Sequence, residues 1–116
     1  MNDIAKESLL FDQYGSLLTE KKQNVMRLYH EENLTLSEIA EQEGISRAAV
    51  FSSLKSAERQ LAAYEDRLGL VALRTENEAR LAEIRRLAQG LERDLAGQGD
   101  GRPEEIIRLV DALNGE

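Results

Sequence analysis

The stretch EIAEQEGISRAAVFSSL, Glu38 to Leu54, decides the fold. A short amphipathic segment is followed by a glycine, then by a helix opened with serine and arginine. Just upstream, Thr35 and Glu38 form the pattern T-x-x-E, a capping box for the first of the two helices. Ile39 and Ala40 point to a core. Gly44 supplies the left-handed residue that ends this helix. Ile45 fills the turn, and Ser46 caps the next helix, which begins at Arg47. This is a helix-turn-helix, a unit that lays the first residues of its second helix against base edges in the major groove.

Working outward, that second helix meets no stop before Gly69. At about 100° per residue, Val50, Phe51, Leu54, Ala57, Leu61 and Tyr64 share one broad inward arc. Arg47, Ala48, Ser52, Lys55, Ser56 and Arg59 lie outward. Upstream, Asp3 is placed to cap a first helix whose apolar stripe is Leu10, Tyr14 and Leu17, with Phe11 and Leu18 beside it. Gly15 within that run marks a weak point or a close crossing. Thr19 caps a further helix, EKKQNVMRLYHEE, that turns Val25, Leu28 and Tyr29 inward, and Asn33 is suited to a left-handed stop. The expectation is an all-α domain over residues 1–68.

Beyond Gly69 the pattern changes to a helical tail, residues 69–116. Asn77, Leu81, Ile84, Ala88, Leu91 and Leu95 step by 4, 3, 4, 3, 4, the spacing of a helix-packing seam. GQGDG, Gly97 to Gly101, breaks the helix. A last helix over Arg102 to Asn114 starts with Pro103 in its first turn. Its expected stripe is Ile106, Leu109, Val110 and Leu113. A lone helix of this length gains its stability from packing, so the tail must fold back, pair with the last helix or meet a second copy. A hairpin leaves one face of the long helix uncovered, which favours a homodimer with contacts by the first helix and the tail.

Composition limits the function. The 116 residues suit one small domain with an appendage, and only one proline interrupts a helix-forming composition. There are no cysteines and one histidine, which leaves almost no material for a metal site or a nucleophilic triad. His30 reads as a surface group near a helix C-terminus. GQGDG lacks the lysine and preceding strand of a phosphate-binding loop. No enzyme activity and no cofactor are expected. The start of the chain lacks a basic segment followed by a long apolar run, and no apolar stretch approaches the roughly 20 residues that span a bilayer. The expectation is a cytoplasmic protein without membrane insertion.

The run Leu17 to Leu61, with its L-T-E opening, T-L-S-E-I-A helix and G-I-S-R turn, resembles the region-four helix-turn-helix of bacterial sigma factors. The flanking segments FDQYGSLLT and YEDRLGL narrow the resemblance to the YlxM family of small bacterial proteins. The match extends from residue 8 to about 70; the tail matches by helical character alone. The resemblance implies a DNA-binding scaffold. It also implies a link to the signal recognition particle pathway, because genes of this family neighbour those of the particle's GTPases. An accessory protein meeting that GTPase or its RNA is the function so implied.

The residues themselves give a divided answer. The net charge is −7, which repels nucleic acid unless the basic groups gather on one face. Residues 1–65 hold seven Lys/Arg against eleven Asp/Glu, so any such face is local. Its candidates are Ser46 and Arg47 at the reading end, Ser52, Lys55 and Arg59 further along, and Lys21 and Lys22 on the preceding helix. Arg47 can pair with a guanine edge or clamp a phosphate; the bland reading is a solvated arginine beside a helix cap. Ser46 can reach a phosphate if capping does not consume it. Ala48 and Ala49 offer at most a thymine-methyl contact. Glu38, Glu41 and Glu43 would stand near the phosphates. Three functions remain open: the accessory role, a transcriptional regulator that binds duplex DNA, and a helical interaction module that binds no nucleic acid.

Overall fold

The computed structural model describes residues 4–115, and the regular structure among them is helical throughout. The helices are α1 (Ile4–Tyr14), α2 (Glu20–His30), α3 (Leu36–Glu43), α4 (Arg47–Leu68), α5 (Leu70–Asp94) and α6 (Arg102–Leu113), with a 3-10 turn over Gly15–Leu17. This is the expected all-α class. The cap expected at Asp3 lies outside the described residues. No helix among them is long and apolar enough to cross a membrane. The chain forms two compact units, Met1–Val71 and Ala72–Glu116, so the division falls inside α5.

The first unit is set by its caps. Thr19 Oγ1 accepts the Lys22 N–H at 3.3 Å and starts α2. The Thr35 hydroxyl accepts the Glu38 N–H at 3.1 Å, and the Glu38 carboxylate accepts the Thr35 N–H at 2.9 Å, completing the capping box. Gly44 closes α3 with φ 69°, and Ser46 Oγ accepts the Ala49 N–H at 3.0 Å. Each such N-cap contributes about 1 kcal/mol. Asn33 takes φ 56° at the stop after α2. These devices fix α3 and α4 as a helix-turn-helix.

α4 is the hub, packing against α1, α2 and α3. Ile39, Val50, Leu54 and Leu61 are buried together, joined by Leu10, Tyr14, Val25 and Met26. Three expected core residues face outward instead. The helix expected to run through Gly15 ends at Tyr14 and gives way to the tight 3-10 turn Gly15–Leu17, where the Phe11 ring lies so close that a Cβ on Gly15 would stand 2.8 Å from it. The 3-10 turn has a shorter period, which swings Leu17 to 56% exposure and buries Leu18. Tyr29 is 39% exposed: it sits in the last turn of α2, where its ring stands edge-on to His30 at 5.1 Å. Phe51 lies about 100° round from Val50, at the margin of the arc, and is 51% exposed.

In the second unit, Arg85 of α5 pairs with Asp111 of α6 at 2.9 Å and marks the side of α5 that α6 covers. The expected seam therefore divides. Ala88 is buried and Leu81 and Leu95 are half-buried, while Ile84 and Leu91 are exposed. On α6 the inward residues are Pro103, Ile106, Ile107 and Val110, spaced i, i+3, i+4, i+7. Leu109 and Leu113, expected in that stripe, face water at 55% and 73% exposure. The turn before α6 is held by Asp100, whose carboxylate accepts the Arg102 N–H at 3.0 Å and its guanidinium at 2.9 Å. Those bonds hold the Asp100 carboxyl down to about 2.

Candidate nucleic-acid interface

α4 carries the candidate face because its buried arc fixes what remains outside. Arg47, Ala48, Phe51, Ser52 and Arg59 are exposed, and Lys55 is half-buried. At 1.5 Å per residue, Arg47 and Arg59 lie roughly 18 Å apart along the axis. The structure thus brings Arg47, Ser52, Lys55 and Arg59 onto one outer face. Lys55 is less free than expected: its Nζ lies 3.5 Å from Glu58 Oε2 and 5.5 Å from the Phe51 ring centroid. Ser46 is exposed, and its Oγ serves as the α4 cap. One acceptor site is taken by the cap, and its hydrogen can still be donated to a phosphate.

The lysines of α2 separate. Lys22 Nζ donates to Gln60 Oε1 at 3.2 Å, which sets it beside the middle of α4, next in sequence to Arg59. Lys21 lines a cavity of about 740 Å³ with Thr19, Glu20, Gln23, Asn24 and Arg27. Arg27, an exposed cation outside the expected set, donates to Asn24, which donates to Glu43 of α3. Glu43 is thereby engaged within the fold, while Glu41 stays exposed.

Negative charge sits at the start of α3. The Thr35 backbone N–H and hydroxyl hold the Glu38 carboxyl below its usual value, so it stays ionised at neutral pH. The N-terminus of α3, where a phosphate would otherwise be welcome, is filled by the protein's own carboxylate. Beside it, Tyr29, His30, Asn33, Leu34, Thr35, Leu36 and Arg47 line a second cavity of about 460 Å³ with Ile4. Arg47 therefore faces the end of α2 as well as the outer face of α4.

His30 is not the surface group expected. It is half-buried, and its Nε2 is buried with no hydrogen-bond partner among the described residues. Burial lowers its pKa, opposed by Glu58. Among the described residues no group of three His, Asp or Glu could hold a metal ion.

A family model described as "Putative helix-turn-helix protein, YlxM / p13 like" matches residues 1–95. The chain belongs to this UPF0122 family. Among its relatives, a UPF0122 protein of Desulforamulus reducens is 42% identical over 110 residues, spanning 95% of this chain and 94% of its own length. The UPF0122 protein YlxM of Bacillus subtilis is 36% identical over 113 residues, 97% of this chain and 94% of the relative. A UPF0122 protein of Symbiobacterium thermophilum is 43% identical over 93 residues, 80% and 84% of the two chains. The family match covers the helix-turn-helix and all of α5; α6 lies beyond it.

Proposed function

We propose that this UPF0122 chain is a cytoplasmic, non-enzymatic accessory protein of the signal recognition particle that contacts the particle's RNA or GTPase through its helix-turn-helix. The observation that carries the nucleic-acid part is the row of Arg47, Lys55 and Arg59 on the outer face of α4, in a family described as helix-turn-helix. Family membership supports the particle as the setting. The test is a pull-down with the full chain at physiological salt. Retention of the particle's RNA or its GTPase supports the reading, and retention of neither overturns it. The second reading is a regulator of transcription, favoured by the scaffold itself. Nanomolar, sequence-selective binding to duplex DNA would establish it in place of the first.

Self-association is also proposed, on a different observation. Leu73, Asn77, Arg80, Ile84, Leu87 and Leu91 are all exposed on α5 and step by 4, 3, 4, 3, 4. That repeat suits the same helix of a second copy.

A further inference from the structure

The α4 face differs from a duplex reader in two ways. Its reading end shows alanines, and an aromatic ring stands in the open among its cations. Phe51 follows Arg47 by one helical turn and precedes Lys55 by another, so cation and ring alternate along the face. One side of the Phe51 ring meets the Lys55 ammonium, 5.5 Å from the centroid, while half of the residue's surface stays in water. Burying a Phe side chain is strongly favourable, and at this position the fold forgoes about half of that burial. A second exposed ring, Tyr29, shares the cavity of about 460 Å³ with Arg47. That volume lies within the roughly 300–1,000 Å³ usual for small-ligand cavities, and Asn33 in its wall carries both a donor and an acceptor.

Rings interleaved with cations suit unpaired nucleotides, whose bases offer a π-face and whose backbone needs few counter-charges. A duplex carries one charge per about 1.7 Å of axis, and here it would meet Glu38, held ionised, and the exposed Glu41. We propose that this face binds an unpaired strand: one base stacks on Phe51, a neighbouring base enters the Tyr29–Arg47 cavity, and Arg47, Lys55 and Arg59 meet the phosphates. The inference rests on the nucleic-acid part of the proposed function and names its ligand as unpaired nucleotides, of RNA or DNA.

The test is fluorescence anisotropy with the full chain and four probes: an RNA hairpin with an open loop, its fully paired counterpart, a single-stranded RNA and a single-stranded DNA. Binding should favour the probes with unpaired bases, and the two single strands show which sugar is preferred. Phe51→Leu keeps the apolar bulk and removes the ring. Stacking is worth about 1–3 kcal/mol per base, so it should weaken single-strand binding roughly 5- to 150-fold and leave duplex binding unchanged. Phe51→Trp should restore affinity, with quenching of the introduced indole on binding. Tighter binding to the duplex, or single-strand binding indifferent to Phe51→Leu, overturns this inference while the broader nucleic-acid reading survives. Binding to no probe overturns both. Loss of a protein partner on Phe51→Leu, without nucleic-acid binding, would assign the ring to a protein interface instead.

Discussion

Tyr14 donates its phenolic hydrogen to Glu65 Oε1 at 2.5 Å, joining the last residue of α1 to the last turn of α4. Both oxygens are also used by the start of α5. The Leu70 N–H donates to Tyr14 Oη and the Val71 N–H to Glu65 Oε1, each at 3.0 Å. The first N–H groups of a helix have no partners within it, and here one side chain distant in sequence, Tyr14, and one just upstream, Glu65, supply them. Tyr14→Phe removes one bond and leaves the Leu70 N–H without its acceptor. It should cost about 1–3 kcal/mol, read as a lower urea midpoint. An unchanged midpoint would show that water replaces the phenol.

Leu54 lies in the buried cluster of α4 with Val50, Ala57 and Leu61. Leu54→Ala should cost about 2–5 kcal/mol, the usual range for emptying a core leucine site. Phe51→Leu, three residues away on the exposed side, should stay within about 0.5 kcal/mol. Comparable losses in the two variants would contradict the burial described for both.

The capping residues Thr19, Thr35, Gly44 and Ser46 were legible because a cap is a local event: one residue type meets one orphaned backbone group. The core of α4 was legible from its period. The misplaced residues share another cause. Leu17 lies beyond a change of helical period, Tyr29 in a last turn, Phe51 at the margin of an arc, and Leu109 and Leu113 on a helix whose covered side depends on its neighbour. Periodicity gives a stripe but not its edges, and the edges are set by what packs alongside. The same limit hid the aromatic character of the candidate face: from spacing alone, Phe51 belonged to the core. The Tyr14–Glu65 contact spans 51 positions, and no local pattern announces it.

One buried and one half-buried titratable group predict opposite pH dependences. Burial first, and the Glu58 charge second, raise the Glu7 pKa above its usual 4.5, opposed by Lys6 and Lys55. The folded chain therefore holds this proton more tightly than the unfolded chain. The resulting stability is full below 4.5 and is lost as pH rises through the folded value. At neutral pH Glu7→Gln should raise the melting temperature, with the gain shrinking as pH falls towards 4.5. A lower melting temperature at pH 7 would rule this out. His30 behaves conversely. Burial lowers its pKa from 6.5, so its stability is full above 6.5 and is lost as pH falls towards the folded value. His30→Gln should flatten that part of the profile.

Salt titration separates phosphate contacts from base contacts. Three phosphate contacts, proposed for Arg47, Lys55 and Arg59, should give a slope of about −2 in log K against log salt for a single strand. Arg59→Gln should reduce that slope by about 0.7 and weaken all sequences alike. A change of sequence preference in that variant would place Arg59 on a base edge.

The tail stripe predicts association and names its weak point. Leu73, Ile84, Leu87 and Leu91 are exposed on one side of α5, and Arg80 interrupts them. Arg80 is held by its own helix, 3.6 Å from Glu76 and 3.4 Å from Asn77. Exposed pairs of this kind contribute about 0–1 kcal/mol, so Arg80 adds little stability where it stands. Between two copies it would be a charge within an apolar seam, and Asn77 would restrict the register. Arg80→Leu should therefore tighten self-association, because burying a leucine is worth about 1.5–3 kcal/mol, or at least tenfold in the dissociation constant. Leu87→Glu should abolish it. Light scattering across the micromolar range, on the full chain and both variants, reads the outcome. A chain that stays monomeric at high micromolar concentration in all three forms would show that the stripe is simply solvated. Dimerisation that survives Leu87→Glu would move the interface elsewhere, with the exposed Ile4 and Leu9 of α1 the next residues to vary.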